Sequence, residues 1–169
     1  MTHLQAEYTM HALTLTHGDK AETYRQLLPQ LAALIADETD LTANLANISA
    51  VLKEAFGWLW VGFYRTDGDT LVLGPFQGPL ACTRIPHGRG VCGQAWAQGE
   101  TLVVADVNAH PDHIACSSLS QSEIVVPVFD RHGAVMLVLD VDADQLAVFD
   151  DTDAEYLQQL AVLIGEKHG

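Results

Sequence analysis

At Gly57 the hydrophobic pattern of this chain changes period, and that change limits the fold more than any other feature. Before it, Leu41, Leu45, Ile48, Leu52 and Phe56 recur at helical spacing; after it, from Trp58, apolar residues alternate in twos. Asp40 is placed to cap the helix and Gly57 to end it. Residues 58–66 and 70–77 then flank Asp67-Gly68-Asp69, the signature of a hairpin. A helix must hand over directly to antiparallel sheet, which excludes both a pure helical bundle and an all-β sandwich.

The rest of the pattern extends that plan. Residues 19–36 carry Tyr24, Leu27, Leu28, Leu31, Leu34 and Ile35 at helical spacing, with Pro29 either kinking that helix or starting a new one. Downstream, the spacing predicts a short helix over 91–97, a strand over 101–105, an irregular segment over 106–121 and strands over 123–129 and 134–141 around Arg131-His132-Gly133. An amphipathic helix over 151–166 closes the chain. The expected class is α+β, with a mostly antiparallel central sheet and the N- and C-terminal helices packed on one face. A polar, aperiodic arm over residues 1–18 precedes a single domain over 19–169.

Composition narrows the partners. With 169 residues and 49% of them hydrophobic, the chain can fill one core. Eight Lys plus Arg against 22 Asp plus Glu give a formal charge of -14, which repels phosphate backbones and anionic lipid. Nucleic acid and membrane are therefore not expected partners. The longest apolar runs, 31–36 and 134–139, are too short to span a bilayer, and no charged start precedes a leader-length apolar run. The reading is a soluble, cytoplasmic protein.

Chemistry concentrates in the middle of the chain. Cys82, Cys92 and Cys116 interleave with the turn Arg84-Ile85-Pro86-His87-Gly88-Arg89-Gly90 and are followed by Glu123, Asp140 and Asp142. An odd number of cysteines in a reducing compartment argues against a structural disulfide framework and for transient thiol chemistry, although a single buried cysteine is most often a small hydrophobe. Three features would lower thiol pKa values: Arg84 near Cys82, the helix start at Cys92 and His113 near Cys116. Strand alternation places Trp60 and Tyr64 on one face with Trp58, opposite Leu59, Val61 and Phe63, so the indole and phenol can wall a pocket. It likewise puts Asp140 and Asp142 on one face, their Cα atoms roughly 6.5 Å apart. Gly88, Gly90 and Gly93 have no lysine after them and read as a lid-shaping turn rather than a phosphate loop. A zinc site from Cys82, Cys92, Cys116 and His113 lacks any short-spaced ligand pair, and a cysteine hydrolase would leave two thiols unused.

Taken together, the runs at 71–78, Ala81-Cys82, Arg84-Ile85-Pro86, 88–93, His113-Ile114-Ala115-Cys116, 122–127 and Leu139-Asp140-Val141-Asp142 resemble the free methionine-(R)-sulfoxide reductases, stand-alone enzymes of GAF fold. The resemblance covers about 19–166. It implies a GAF-like domain in which Cys116 attacks the sulfoxide sulfur, releases methionine and becomes a sulfenic acid. Cys82 then condenses with it to a disulfide, Cys92 serves as a second resolving or relay thiol, and thioredoxin restores the dithiol without a bound cofactor or metal. It also implies that Trp60 and Tyr64 wall the methyl and sulfoxide end, while Glu123, Asp140 and Asp142 hold the substrate's polar groups and supply a proton. A homodimer touching through the first helices is a further implication. Two positions depart from the family pattern: Ser117 stands where Asp is frequent, and Ala143 where Ser is frequent. The alternative is a GAF sensor that binds a small ligand or is oxidised at its thiols without turnover.

Overall fold

A computed structural model describes residues 12–16 and 18–169. Asp19 accepts a hydrogen bond from the Glu22 backbone N–H and opens helix α1, Lys20–Ala36. Pro29 lies inside that helix on its exposed side and does not break it; the carbonyl the ring leaves unpaired can turn to water. Asp40 accepts from the Ala43 N–H to start α2, Leu41–Phe56, and Gly57 ends it at φ 68°, a conformation costly for any residue with a Cβ. Of the expected arm, residues 12–16 are held against α1. Thr14 and Thr16 donate backbone hydrogen bonds to Gln30 and Gln26, and Leu13 and Leu15 pack on the core. The remainder of the arm, 1–11 and His17, lies outside the described residues.

The strands are β1 (Trp60–Asp67), β2 (Thr70–Gln77), β3 (Arg84–Pro86), β4 (Leu102–Val104), β5 (Ser122–Phe129) and β6 (Val135–Ala143). Helix α3 (Gly90–Gln98) lies between β3 and β4, and α4 (Asp151–His168) follows β6. All six strands pair antiparallel in the order β3-β2-β1-β6-β5-β4, so β1 and β6 form the centre. Strand β3 is an addition to the expected plan. Three residues are too few to show alternation, yet Thr70, Leu71 and Val72 pair with it residue by residue.

Each central strand divides its side chains between two layers. Val61 and Phe63 of β1, Ile124, Val126 and Val128 of β5, and Leu137, Leu139 and Val141 of β6 face α1, α2 and α4 in one buried core. Their neighbours in sequence face the other way, toward α3 and β3, where Trp60, Tyr64, Ile85, Val91, Cys92, Val125 and Val138 form a second apolar cluster. Trp58 breaks the expected alternation. The strand begins at Trp60, and Trp58 instead packs in the helix-side core, its ring 4.2 Å from Phe56 and 5.6 Å from Phe149. The reason is local: the chain leaving Gly57 has not yet entered the ladder, so strand parity does not apply to it.

The N- and C-terminal helices are tied together at their first turns, and again where Lys167 donates to the Ala36 carbonyl at the other end. Buried Asp153, in the capping box that opens α4, accepts from Tyr24 at 2.8 Å and from Lys20 at 2.5 Å. No helix among the described residues is long and apolar enough to cross a membrane.

Candidate active site

The aromatic wall is built by register. Trp60 sits opposite Asp142, and Gly62 sits between Asp140 on β6 and Phe76 on β2. Because Gly62 has no side chain, the Trp60 indole can lie along the strand over it. A Cβ there would stand 2.5 Å from Trp60 Cη2 and 2.4 Å from Phe76 Cβ. Gly78, at φ 140°, leaves the same room on the other side, where a Cβ would approach Trp60 Cδ1 to 2.7 Å. The indole stacks on Phe76 with ring centroids 5.3 Å apart and on Tyr64 at 5.9 Å. Phe76 is a wall residue that the sequence reading missed, since its place depends on pairing across strands. Tyr64 donates a 3.0 Å hydrogen bond to the Cys82 carbonyl, and burial raises its pKa, so the phenol stays a donor.

Three acids form the floor. Glu123, Asp140 and Asp142 project from β5 and β6 onto the face that carries Trp60, inside the domain rather than on a solvated loop. Burial raises the Glu123 pKa well above the usual carboxylate range, with the charges of Asp140 and Asp142 adding to the effect. Burial does the same to Asp140, helped by Asp142. Asp142 is pushed up to about 6, again by burial, while a hydrogen bond donated by Ser120 works in the opposite direction. Ser120 is a second participant the sequence reading missed: a buried serine in an irregular segment carries no pattern that marks it. Trp60 Nε1 and Asp140 Oδ1 are both buried without a partner among the described residues, which leaves one donor and one acceptor for a ligand.

Cys82 and Cys116, 34 positions apart, are joined in a disulfide with Cα atoms 5.3 Å apart. Cys92 is free, buried and 3.9 Å from Glu123 Oε1. Its expected activation by the helix start does not hold. Burial, then the neighbouring Asp140 and Glu123, raises its pKa well above the ordinary thiol value and outweighs the N-terminal dipole of α3. The two other expected activators are also differently engaged. Arg84 points its guanidinium to Asp67, 3.7 Å away. His113 lies 3.9 Å from Glu123, and burial followed by His110 lowers its pKa, so it carries no positive charge at neutral pH. With Cys82 and Cys116 bonded to each other, the four-ligand zinc arrangement is not the one found. Cys92, Glu123 and Asp140 bring three ligand atoms within 4.8 Å of one another, and burial raises the pKa of each.

The segment that carries Cys116 roofs this cavity. Asp112 anchors its start by accepting from Arg89 Nε at 3.0 Å and from the Gly90 N–H at 3.1 Å. Ile114 packs so closely over Gly90 that a Cβ there would approach it to 3.1 Å. The glycine turn is bonded back onto α3, Gly88 N–H to the Gly93 carbonyl and Gly93 N–H to the Arg89 carbonyl, and so fixes the wall on which Cys92 sits. In this disulfide-bonded state the cavity is small, about 40 Å³. A larger cleft of about 950 Å³ lies between α4 and the far end of β5, and no cysteine lines it.

A curled antiparallel sheet with helices on one face and a small-molecule pocket on the other is the architecture of a GAF domain, and the GAF domain family profile matches residues 35–166. Among solved structures, that of free methionine-R-sulfoxide reductase from Neisseria meningitidis in complex with its substrate is 65% identical, with a TM-score of 0.91, over 94% of this chain and 95% of that one. GAF domain-containing protein A of Dictyostelium discoideum is 54% identical over 90% of this chain and 96% of its own length. Free methionine-R-sulfoxide reductase of Escherichia coli is 46% identical over 84% of this chain and 86% of its own. The chain belongs to the GAF-fold free methionine-R-sulfoxide reductases, a family of oxidoreductases.

Proposed function

We propose that this enzyme reduces free methionine-(R)-sulfoxide to methionine with Cys116 as nucleophile and Cys82 as resolving thiol. The observation that carries the reading is the Cys82–Cys116 disulfide, placed at a pocket with an aromatic wall and a floor of buried acids. The Cys116 thiolate attacks at the sulfoxide while a carboxylic acid protonates its oxygen; the S–O bond to methionine breaks as the hydroxyl passes to the Cys116 sulfur, so methionine leaves reduced by two electrons and Cys116 becomes a sulfenic acid. The Cys82 thiol then displaces water from that sulfenic acid and forms the disulfide. Two electrons and two protons from thioredoxin, the external reductant, restore both thiols.

The acids divide the work by their environments. Glu123, held protonated by burial, suits proton donation, whereas Asp142, with a pKa of about 6, is mostly ionised at neutral pH and suits the substrate's α-ammonium group. Asp140 contributes Oδ1, a buried oxygen without a hydrogen-bond partner among the described residues. Selectivity for the free amino acid follows, because a peptide-bound methionine has no ammonium to grip. Trp60 and Tyr64 hold the methyl and sulfoxide end, and Cys92 stands by as the second thiol of the same pocket. The cavity is small, about 40 Å³, in the disulfide-bonded state, and on this reading the Cys116 segment that roofs it moves aside once the disulfide is reduced. The remaining family expectations, one domain over 19–169, a homodimer and a cytoplasmic location, belong to the same reading.

The test is turnover of free methionine-(R)-sulfoxide with dithiothreitol, scored as methionine. Cys116→Ser is expected to abolish it, and pre-reduced Cys82→Ser, freed of dithiothreitol before sulfoxide is added, to release one methionine per chain and stop. Activity retained in Cys116→Ser would end the assignment.

A further inference from the structure

Among the described residues the large exposed hydrophobic side chains are few, and two of them flank the disulfide. Leu80, 89% exposed, precedes Cys82 by two positions, and Leu119, 59% exposed, follows Cys116 by three. The disulfide joins their two segments, so the two leucines stand close to the same half-buried sulfur pair. Charge marks this part of the chain as well. Although the chain carries 22 Asp plus Glu, residues 70–99 contain none and include Arg84 and Arg89, and residues 113–122 contain no charged residue of either sign. Both stretches meet at Cys82–Cys116. Of the acids near these stretches, Asp67 faces Arg84, Asp112 is bound by Arg89 and Glu123 is buried, while the exposed Asp69 and Glu100 stand at the two ends of the first stretch, 13 and 18 positions from Cys82.

We infer that Leu80 and Leu119 form the docking surface for an acidic protein dithiol whose attacking cysteine is ringed by apolar surface. The inference rests on the reading of Cys82–Cys116 as a disulfide reopened from outside. A net charge of -14 repels an acidic protein everywhere except over an area free of acids, so charge selects this approach. The apolar pair then holds the partner while its thiolate attacks one sulfur of the disulfide along the bond axis. A mixed disulfide forms and the second sulfur leaves as a thiolate. The partner's other thiol attacks the mixed disulfide, freeing both cysteines of this chain and leaving the partner oxidised by two electrons. A small dithiol needs no such surface, which separates the two kinds of reductant.

The experiment omits sulfoxide altogether. The oxidised chain is mixed with reduced thioredoxin or with dithiothreitol, quenched in acid at intervals and titrated for free thiols. Leu80→Ser and Leu119→Ser are each expected to slow reduction by thioredoxin about fivefold or more, with reduction by dithiothreitol within about twofold of the parent. Ser118→Glu, which sets a carboxylate on the exposed rim, is expected to slow thioredoxin alone, and added salt to relieve that slowing. Parent rates with thioredoxin in all three variants, or thioredoxin and dithiothreitol rates falling together, would overturn the docking surface. Failure of the parent chain to form methionine with dithiothreitol would instead sink the reductase reading, and thiol exchange would still judge the surface.

Discussion

Trp60 and Asp142 are direct partners across β1 and β6, and Asp142 is in turn the direct partner of Glu123 across β5. One row of the sheet therefore presents an indole, an acid whose pKa burial pushes up to about 6 and an acid that burial pushes well above the usual carboxylate range, at successive strand spacings of about 4.8 Å. The next row, Gly62, Asp140 and Val125, supplies the space for the indole and a third carboxyl. Two rows of one sheet face carry most of the chemistry, and the cysteines arrive from segments laid over them.

Gly62→Ala should destabilise the chain by about 1–3 kcal/mol, the usual range for overpacking a filled core. The added methyl would meet Phe76 Cβ at 2.4 Å and the Trp60 ring at 2.5 Å, and the indole must shift off the strand to admit it. Denaturant unfolding should record the loss, and KM for the sulfoxide should rise because the pocket wall has moved.

Ser120→Ala should raise KM about tenfold at neutral pH with little change in kcat. The serine hydroxyl donates to Asp142 and favours its ionised form, so removing it lifts the Asp142 pKa and weakens the grip on an ammonium group. The defect should shrink as pH rises and Asp142 ionises without help. A KM profile against pH for both proteins checks this.

Stability should fall as pH rises from about 4 toward neutrality. Glu123, Asp140 and Asp142 hold their protons more tightly folded than unfolded, so above their unfolded pKa values the folded chain binds more protons and loses free energy relative to the unfolded one. The Asp142 share of this loss is complete above about 6, and the other two extend it further. Asp140→Asn, with no charge to bury, should flatten the decline. Unfolding midpoints across this pH range measure it.

Cys92→Ser should still close its disulfide. Cys82 and Cys116 are bonded directly, and Cys92 lies apart beside Glu123. Addition of sulfoxide to the reduced protein should therefore remove two titratable thiols in Cys92→Ser as in the parent. Retention of both would make Cys92 an obligatory relay.

Much of this was legible in the sequence where a repeat reports its own surroundings. The stripe Leu41 to Phe56 gave α2, alternation gave the faces of Trp60, Tyr64, Asp140 and Asp142, and the joining of Cys82 to Cys116 was implied by the family resemblance. What escaped was set by neighbours distant in sequence. Phe76 joins the wall through its pairing with Gly62, Ser120 reaches Asp142 from an irregular segment, and β3 exists because β2 offers it an edge. Trp58 was misplaced because alternation continues on paper past the point where the ladder begins. The thiol environments were misjudged for a related reason: Arg84, His113 and the start of α3 are near the cysteines in sequence, but burial and other partners decide their influence.

Because from Leu137 onward the odd-numbered side chains of β6 feed the oily layer and the even-numbered ones the pocket side, the strand tolerates exchange of residues far better than a change in their count. Inserting a single residue ahead of Leu137 would deliver Asp140 and Asp142 into hydrocarbon and turn Leu137, Leu139 and Val141 to the opposite face. Descendants of this gene can therefore drift in composition along β6, while any shift in its length must come in pairs.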